Sequence, residues 1–454
     1  MIPEQLLRGE VAVVGLGRSG RSVSRLLRGV GARVYASDSA EADPATVETL
    51  AAIGVDARDG GHDLDRIASA ALVVTSPGVP PGAAALARAR ARGVRIVSEV
   101  EVALMFLPGV KYIAVTGTNG KSTVTALAAH LLRALGLDAV AAGNIGTPLS
   151  EIALQAAPPP WIALELSSFQ LHDTPGIDPA VGVLTNLEPD HLDRYATLEE
   201  YYADKMRLFA NASAGSLRIT NADDAEVERR TRGIPGARYR FSMRDVTADA
   251  GPSDTTGRWQ LLGSDFIATA DIPLLGSHNV ANTLAASLAV AVADAGHRTA
   301  AAIEKLAAGV RTFRSLPHRL EVVGEVDGVV WIDDSKATNV SSARVAIEAM
   351  TRPTVVLLGG KHKHEPYTAL LEGLAKHASL VIAYGEAAPL IEADLAGHVP
   401  MVRLGSSFNE VIARARAASR PGGAVLLSPA CSSYDMFTDY EQRGDTFRRL
   451  ATMP

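Results

Sequence analysis

Thr116-Gly117-Thr118-Asn119-Gly120-Lys121-Ser122-Thr123 is the stretch on which the fold turns. The run Tyr112 to Thr116 before it is apolar and β-branched, and Ser122 to Leu135 after it has helical period, so the glycines occupy a strand-to-helix turn. Small residues there let backbone amides wrap phosphate oxygens, while Lys121 reaches the terminal phosphates and Ser122 offers a hydroxyl to Mg²⁺. The position five before Gly120 is Val115 rather than the glycine of a strict Walker A, which points to a shorter loop variant. A glycine turn with an ion-paired lysine is the competing account.

Outward from that turn, short β-branched runs alternate with Ala/Leu/Arg stretches of helical period. Strands are expected at Val11 to Val14, Arg33 to Ala36, Leu72 to Thr75, Ile162 to Leu166, Val181 to Thr185, Thr354 to Leu358, Leu380 to Tyr384 and Ala424 to Ser428. Repeated β-α units of this kind give an α/β chain of mostly parallel sheets covered by helices. Gly263 to Ser277 and Leu320 to Asp333 read as hairpin-like. Breaks near Glu99 to Lys111 and Arg311 to Pro317 divide the chain into residues 1–99, 100–315 and 316–454.

The 454 residues are 47% apolar, ample for several cores, and 44 basic against 50 acidic residues leave a net charge of −6. That balance, without a dense Lys/Arg block, argues against a nucleic-acid partner. Cys431 is the sole cysteine, so no internal disulfide can form, and no spacing builds a structural zinc site. A cytoplasmic location fits best. No apolar run reaches the roughly 18 residues of a membrane span, and the N-terminus lacks a signal-like pattern. Nothing demands more than a monomer.

Gly15-Leu16-Gly17-Arg18-Ser19-Gly20 is a second glycine loop between strand and helix, with Asp38 where a ribose-binding acid would stand. By itself it supports a dinucleotide-dependent dehydrogenase, with a tight strand-helix packing turn as the alternative. Glu165 ends an apolar strand, and Thr185-Asn186-Leu187-Glu188-Pro189-Asp190-His191-Leu192-Asp193 sets acids beside a histidine, a donor set suited to Mg²⁺ or Mn²⁺. Lys205 reads by default as a solvated lysine on an amphipathic helix. Asn279 and Asn282 share a helix face and can read a base or phosphate, or Asn279 can cap the helix. Arg319, Asp334 and Lys336 stand beside turns and suit phosphate and ribose contacts, with plain surface charge as the alternative.

Taken in order, TGTNGKST, GNIG at Gly143 to Gly146, ELSSFQL, TNLEPDHLD, HNVAN, PHRLE, DDSKATN and SPACSSYDMF resemble the Mur ligase family of peptidoglycan synthesis. The resemblance runs from residue 11 to beyond 440. It implies a Rossmann-like N-terminal domain holding a uridine diphosphate, a central P-loop ATPase-like domain, and a Rossmann-like C-terminal domain presenting the amino acid. The activity it implies is ATP-dependent addition of D-glutamate to UDP-N-acetylmuramoyl-L-alanine through an acyl phosphate, with domain closure once ATP binds.

Carried onto these positions, the resemblance gives Gly117 to Thr123 and Lys121 to the ATP phosphates, and Ser122 and Glu165 to a first Mg²⁺. It gives His191 and a carbamylated Lys205 to a second, with Lys121, His191 and Lys205 in the chemistry. Asn279, Asn282, Arg319, Asp334 and Lys336 match ATP contacts and Asn144 a muramoyl contact. Leu16, Arg18, Ser19 and Ser39 fall where the uridine diphosphate is held, and Thr338, Lys363, Ser433, Tyr434 and Tyr440 where the glutamate is held. The stretch Gly359 to Tyr367 is more basic than the family pattern, so Lys361 can take the role of Lys363, and Tyr440 stands where a phenylalanine is common. A dehydrogenase leaves TGTNGKST and HNVAN unexplained. A folylpolyglutamate synthase shares the ATPase core but not the first hundred residues, and a non-catalytic UDP-sugar binder would not need Lys121, His191 and Lys336 together.

Overall fold

Residues 7–191, 194–363 and 365–453 are described by the computed structural model, so Leu192, Asp193 and His364 of the quoted motifs lie outside the described residues. Among the described residues, three sheets follow one another along the chain. The first contains β1 (Glu10–Val14), β2 (Arg33–Ser37), β3 (Asp56–Arg58), β4 (Leu72–Thr75) and β5 (Ile96–Ser98), all parallel in the order β3-β2-β1-β4-β5. Successive residues of β1 feed opposite cores: Val11 and Val13 pack with Leu26 and Leu27, and Ala12 and Val14 with Tyr35 and Leu86. A strand buried on both faces therefore reads as a continuous apolar run, and each buried Val or Leu contributes about 1.5–3 kcal/mol.

The second sheet holds β6 (Lys111–Thr116), β7 (Ala139–Gly143), β8 (Trp161–Glu165), β9 (Val181–Leu184), β10 (Leu217–Asn221), β11 (Ala237–Phe241), β12 (Ala250–Pro252), β13 (Trp259–Leu261) and β14 (Ser264–Ile267). Its order is β14-β13-β12-β11-β10-β9-β6-β8-β7, parallel from β7 to β12 and antiparallel at the β13 and β14 edge. Thus β6 lies between β8 and β9, and the loops leaving these three strands share one rim, where open α/β sheets take ligands. The expected hairpin at Gly263 to Ser277 is present only in part, since β14 gives way to a 3₁₀ turn at Thr269–Asp271.

The third sheet contains β15 (Glu321–Val326), β16 (Val329–Asp333), β17 (Thr354–Gly359), β18 (Ala378–Tyr384), β19 (Met401–Arg403) and β20 (Ala424–Leu427), in the order β15-β16-β20-β17-β18-β19. Only β15 is antiparallel, so Leu320 to Asp333 is the hairpin its sequence suggests. The strands expected from sequence are found with ends within two residues. Strands β3, β5, β7, β10 to β13 and β19 are additions to that set. Of these, β7, β10 and β11 read AVAAG, LRITN and ARYRF, Ala-rich or Arg-studded text without the run of large apolar residues that marks the expected strands.

The chain packs as two compact units, one of residues 1–271 with 281–311 and the other of 272–280 with 312–454. The first two sheets share a unit because the join is buried: Ser98 N donates to Asp173 O at 2.6 Å, Glu99 accepts from Ser150 N at 2.6 Å, and Glu101 accepts from Gly176 N at 2.9 Å. Glu99 is fully buried there, which pushes its carboxyl above the usual range. Among the described residues no helix is long and apolar enough to cross a membrane.

Candidate active site

The phosphate loop is braced from the β9 side. Gly117 has φ +147° and Gly120 φ +81°, and Gly120 caps the helix Lys121–Ala134. A Cβ on Gly117 would lie 1.9 Å from Thr185 Oγ1, and one on Gly120 2.3 Å from Asn282 Oδ1. Thr118 N donates to Asn186 O at 3.0 Å and Asn119 N to Asn186 Oδ1 at 2.8 Å. Thr118 Oγ1 donates to Glu188 O and accepts from Glu188 N, both at 3.0 Å, and Asn119 Nδ2 donates to Glu188 Oε2 at 3.2 Å. Asn186 and Glu188, which the sequence suggested as part of a cation-binding run, hold the loop in shape. The first helical turn, with Lys121, Ser122 and Thr123, is then the part of the motif that offers amides and the positive end of a helix dipole to an anion.

Two lysines converge on one oxygen. Lys121 Nζ donates to Gly117 O at 3.0 Å and Thr118 O at 2.7 Å, and Lys205 Nζ donates to Gly117 O at 2.6 Å. Lys205 is 1% exposed and sits 4.5 Å from the Tyr201 ring centroid, so the solvated-lysine reading fails. The helix Leu198–Met206 turns it inward. Burial first, and the Lys121 charge second, hold its ammonium well below the usual lysine range.

Glu165, at the end of β8, is likewise 1% exposed. Its Oε1 accepts from Asn144 Nδ2 at 2.8 Å, and its Oε2 has no hydrogen-bond partner. A buried oxygen left so costs about 1–3 kcal/mol, a deficit that a cation removes. Asn144, expected near a muramoyl group, is thereby tied to this carboxylate. Ser122 is buried in the first helical turn. His191 is exposed, has φ +54°, and lies with its ring 5.1 Å from Phe169 and 5.9 Å from Tyr201, whose hydroxyl donates to Thr118 Oγ1 at 3.3 Å. Lys121, Ser122, Glu165, His191, Lys205 and Asn282 thus gather around one loop. Asn279 lies within the helix Ser277–Val292, and its Nδ2 donates to Leu275 O at 2.7 Å, so it does not serve as the N-terminal cap.

At the first glycine loop, Gly20 lets the helix Arg18–Gly29 approach so closely that a Cβ there would lie 1.8 Å from Gly15 O. Asp38 accepts from Leu16 N at 2.7 Å and Ala40 N at 3.0 Å, so the acid a dinucleotide site would aim at a ribose braces the loop itself. Leu16 is buried, Ser19 half-buried, and Arg18 and Ser39 exposed beside it at the ends of β1 and β2.

In the second unit the matching residues line the carboxyl ends of β16, β17 and β20. His318 Nδ1 is 2.7 Å from Asp333 Oδ2, which raises the imidazole's affinity for its proton, and His318 N donates to Glu321 Oε2 at 3.0 Å. His318, Glu321 and Asp333 cluster as cation ligands would, but Arg448 and Ser335 N also occupy the carboxylates, so the trio braces the turn carrying Arg319. Asp334 is buried, accepts from Ser428 Oγ at 2.8 Å and Leu320 N at 3.2 Å, and burial pushes its pKa up to about 7. Lys336 Nζ stands 3.5 Å over the Tyr440 ring. Lys363 Nζ is 3.4 Å from Thr338 Oγ1, while the backbone of Lys361 bridges to Ser432. Ser433 is buried beside them and Tyr434 is exposed. Sequence reasoning passed over Arg443, fully buried, whose guanidinium donates to Ser335 O, Ser335 Oγ and Cys431 O and so ties two of these strand ends together.

A UDP-N-acetylmuramoylalanine–D-glutamate ligase of Salinibacter ruber is 36% identical over 99% of both chains. The chain belongs to the Mur ligase family. An Anaeromyxobacter dehalogenans protein of the same name is 39% identical, covering 100% of this chain and 99% of its own. Three family models match in succession: Mur ligase MurD-like, N-terminal domain at 9–98, Mur ligase middle domain at 115–290, and Mur ligase, glutamate ligase domain at 318–431. The fold is also that of a UDP-N-acetylmuramate-alanine ligase from Thermotoga maritima, with a TM-score of 0.61 at 18% identity over 98% of this chain and 100% of that one. The three-domain α/β architecture of Mur ligases is thus present throughout.

Proposed function

We propose that this Mur ligase joins D-glutamate to UDP-N-acetylmuramoyl-L-alanine at the expense of ATP, in peptidoglycan precursor synthesis. The observation that carries the ATP half is the meeting of Lys121 and Lys205 on Gly117 O. The substrate half rests on near-full-length similarity to ligases of that name. We assign residues 1–99 to the uridine nucleotide, 100–315 to ATP and 316–454 to the amino acid.

Glu165, with its unpartnered buried oxygen, and Ser122 fit a Mg²⁺ ion, and His191 and Lys205 fit a second if Lys205 is carbamylated. Bound there, Mg²⁺ or Mn²⁺ supplies positive charge to the phosphoryl oxygens. Carbamylation joins the neutral Lys205 amine to CO₂ with loss of one proton, replacing a crowded cation by an anionic oxygen donor.

Lys121 leaves its loop carbonyls for the γ-phosphate when ATP binds, offsetting charge as the substrate carboxylate attacks phosphorus and ADP departs. Asn186 and Glu188 keep the loop rigid, so little reorganisation accompanies the step. The resulting acyl phosphate makes the carbonyl electrophilic. The D-glutamate amine, held through its carboxylates by Lys363, Thr338 and Ser433 beside Tyr434 and Tyr440, then attacks, and phosphate leaves. Arg319, Asp334, Lys336, Asn279 and Asn282 are assigned to the nucleotide, and Leu16, Arg18, Ser19 and Ser39 to the uridine diphosphate.

The test is phosphate release from ATP and Mg²⁺ with UDP-N-acetylmuramoyl-L-alanine and D-glutamate, L-glutamate or neither. Release that requires D-glutamate is expected. Dependence on L-glutamate changes the substrate, and no stimulation by either overturns the assignment.

A further inference from the structure

Asp204 is 6% exposed, lies immediately before Lys205, and has no place in the chemistry above. Four hydrogen bonds end on its carboxylate: His172 Nδ1 to both oxygens at 2.9 and 3.0 Å, Tyr195 OH at 3.1 Å and Arg207 Nε at 2.9 Å. Each donor belongs to a segment carrying a residue assigned to Mg²⁺. His172 ends the short helix Ser168–His172, which opens just past Glu165. Tyr195 follows His191 and is stacked on Phe169, ring centroids 5.5 Å apart and planes at 9°, and Phe169 in turn meets the His191 ring edge-on. Arg207 closes the last turn of the helix that carries Lys205.

We propose that Asp204 is a positioning residue for the divalent-cation site, setting the mutual placement of Glu165, His191 and Lys205 through His172 and Tyr195 without touching the ion. The proposal rests on the reading that those three residues hold Mg²⁺. A carboxylate suits the task because it accepts from several donors at once, and its charge-assisted bond to Arg207 is stronger than a neutral one. Packing alone would not do the same. Ligand-bearing segments from three parts of the chain must agree to about 0.5 Å for a compact cation, and directional bonds to one buried centre impose that agreement.

The experiment measures the Mg²⁺ dependence of ligation, Mn²⁺ binding by electron paramagnetic resonance, and the ¹³C carbamate signal formed from labelled bicarbonate, in wild type, Asp204→Ala and Tyr195→Phe. For Asp204→Ala we expect the Mg²⁺ midpoint to rise about tenfold or more, Mn²⁺ binding to weaken in step and the carbamate signal to shrink, with the KM for D-glutamate unchanged. Tyr195→Phe removes one donor, keeps the stack on Phe169, and serves if Asp204→Ala does not fold. Its midpoint should rise by a smaller factor. A purely structural role would lower kcat at every Mg²⁺ concentration and leave the midpoint in place, which overturns the proposal. Wild type that binds no Mn²⁺ overturns the metal reading and this proposal with it, whereas wild-type binding matched by both variants overturns this proposal alone.

Discussion

Lys205 Nζ lies 2.6 Å from Gly117 O, the first carbonyl of the phosphate loop, and the only other ammonium on that oxygen among the described residues is that of Lys121. Two cations on one carbonyl in a buried site repel, and burial together with Lys121 favours the neutral Lys205 amine. A neutral amine reacts with CO₂, and the carbamate turns the repulsion into attraction. Lys205→Ala is expected to lower ligation on the order of 10²–10⁴-fold, as loss of a charge-placing group does. Added acetate or formate should restore part of it, because either occupies the space of the carbamate. Lack of rescue in an otherwise folded variant would count against the carbamate.

The half-buried Lys121 donates to the carbonyls of Gly117 and Thr118, both neutral acceptors, and Gly117 O keeps its bond to Lys205 when Lys121 is gone. Lys121→Ala should therefore keep the wild-type circular dichroism and melting temperature while ligation falls about 10³-fold or more. Near-wild-type turnover would move the phosphate site elsewhere.

Gly117 cannot carry a side chain. Thr185 Oγ1, which a Cβ would meet at 1.9 Å, is held by its own bond to Asn119 O at 2.6 Å and would have to break it to swing away. Gly117→Ala should cost about 1–3 kcal/mol in unfolding free energy and raise the KM for ATP. An unchanged KM would show that the loop's shape is not what binds phosphate.

Such constraints are legible in the sequence only in part. The turn itself, the strands around it and the order of motifs can be read because buried parallel strands carry continuous apolar runs and a phosphate loop needs small residues. Burial of polar groups cannot. Lys205 reads as surface because helix periodicity does not distinguish a lysine facing solvent from one packed against the Tyr201 ring and Gly117 O. Asn186 and Glu188 stand out as cation donors, but their use as braces depends on a register across β6 and β9 that no spacing reveals. Asp204 and Arg443 are invisible for the same reason: their partners include residues tens of positions away in sequence.

Asp334 supplies a pH dependence. Its carboxyl ionises at about 7 in the folded chain against 3.8 in an unfolded one, because burial outweighs the bonds from Ser428 and Leu320. Between those values the folded state holds the extra proton, so stability falls as pH rises through that window and levels off above it. Asp334→Asn should flatten the slope, and the wild-type KM for ATP should show an inflection near 7 that the variant lacks. Parallel profiles would mean that Asp334 does not face the nucleotide.

His318 acts in the same direction at higher pH. Its imidazolium is stabilised by the bond to Asp333, so its folded pKa stands above the unfolded value of 6.5. The stability this contributes is fully present below 6.5 and is lost as pH rises through the folded pKa. His318→Gln keeps a group able to donate toward Asp333 but cannot be charged, so the variant should be less stable than wild type at about pH 6 and approach it toward about pH 9. Asp334→Asn alters the slope below about 7 and His318→Gln the slope above 6.5, so urea unfolding of the two variants across roughly pH 5 to 9 separates the groups. A wild-type advantage over His318→Gln that persists unchanged at about pH 9 would mean that the ring holds Asp333 as a neutral donor, and that Arg319 is braced by shape instead of charge.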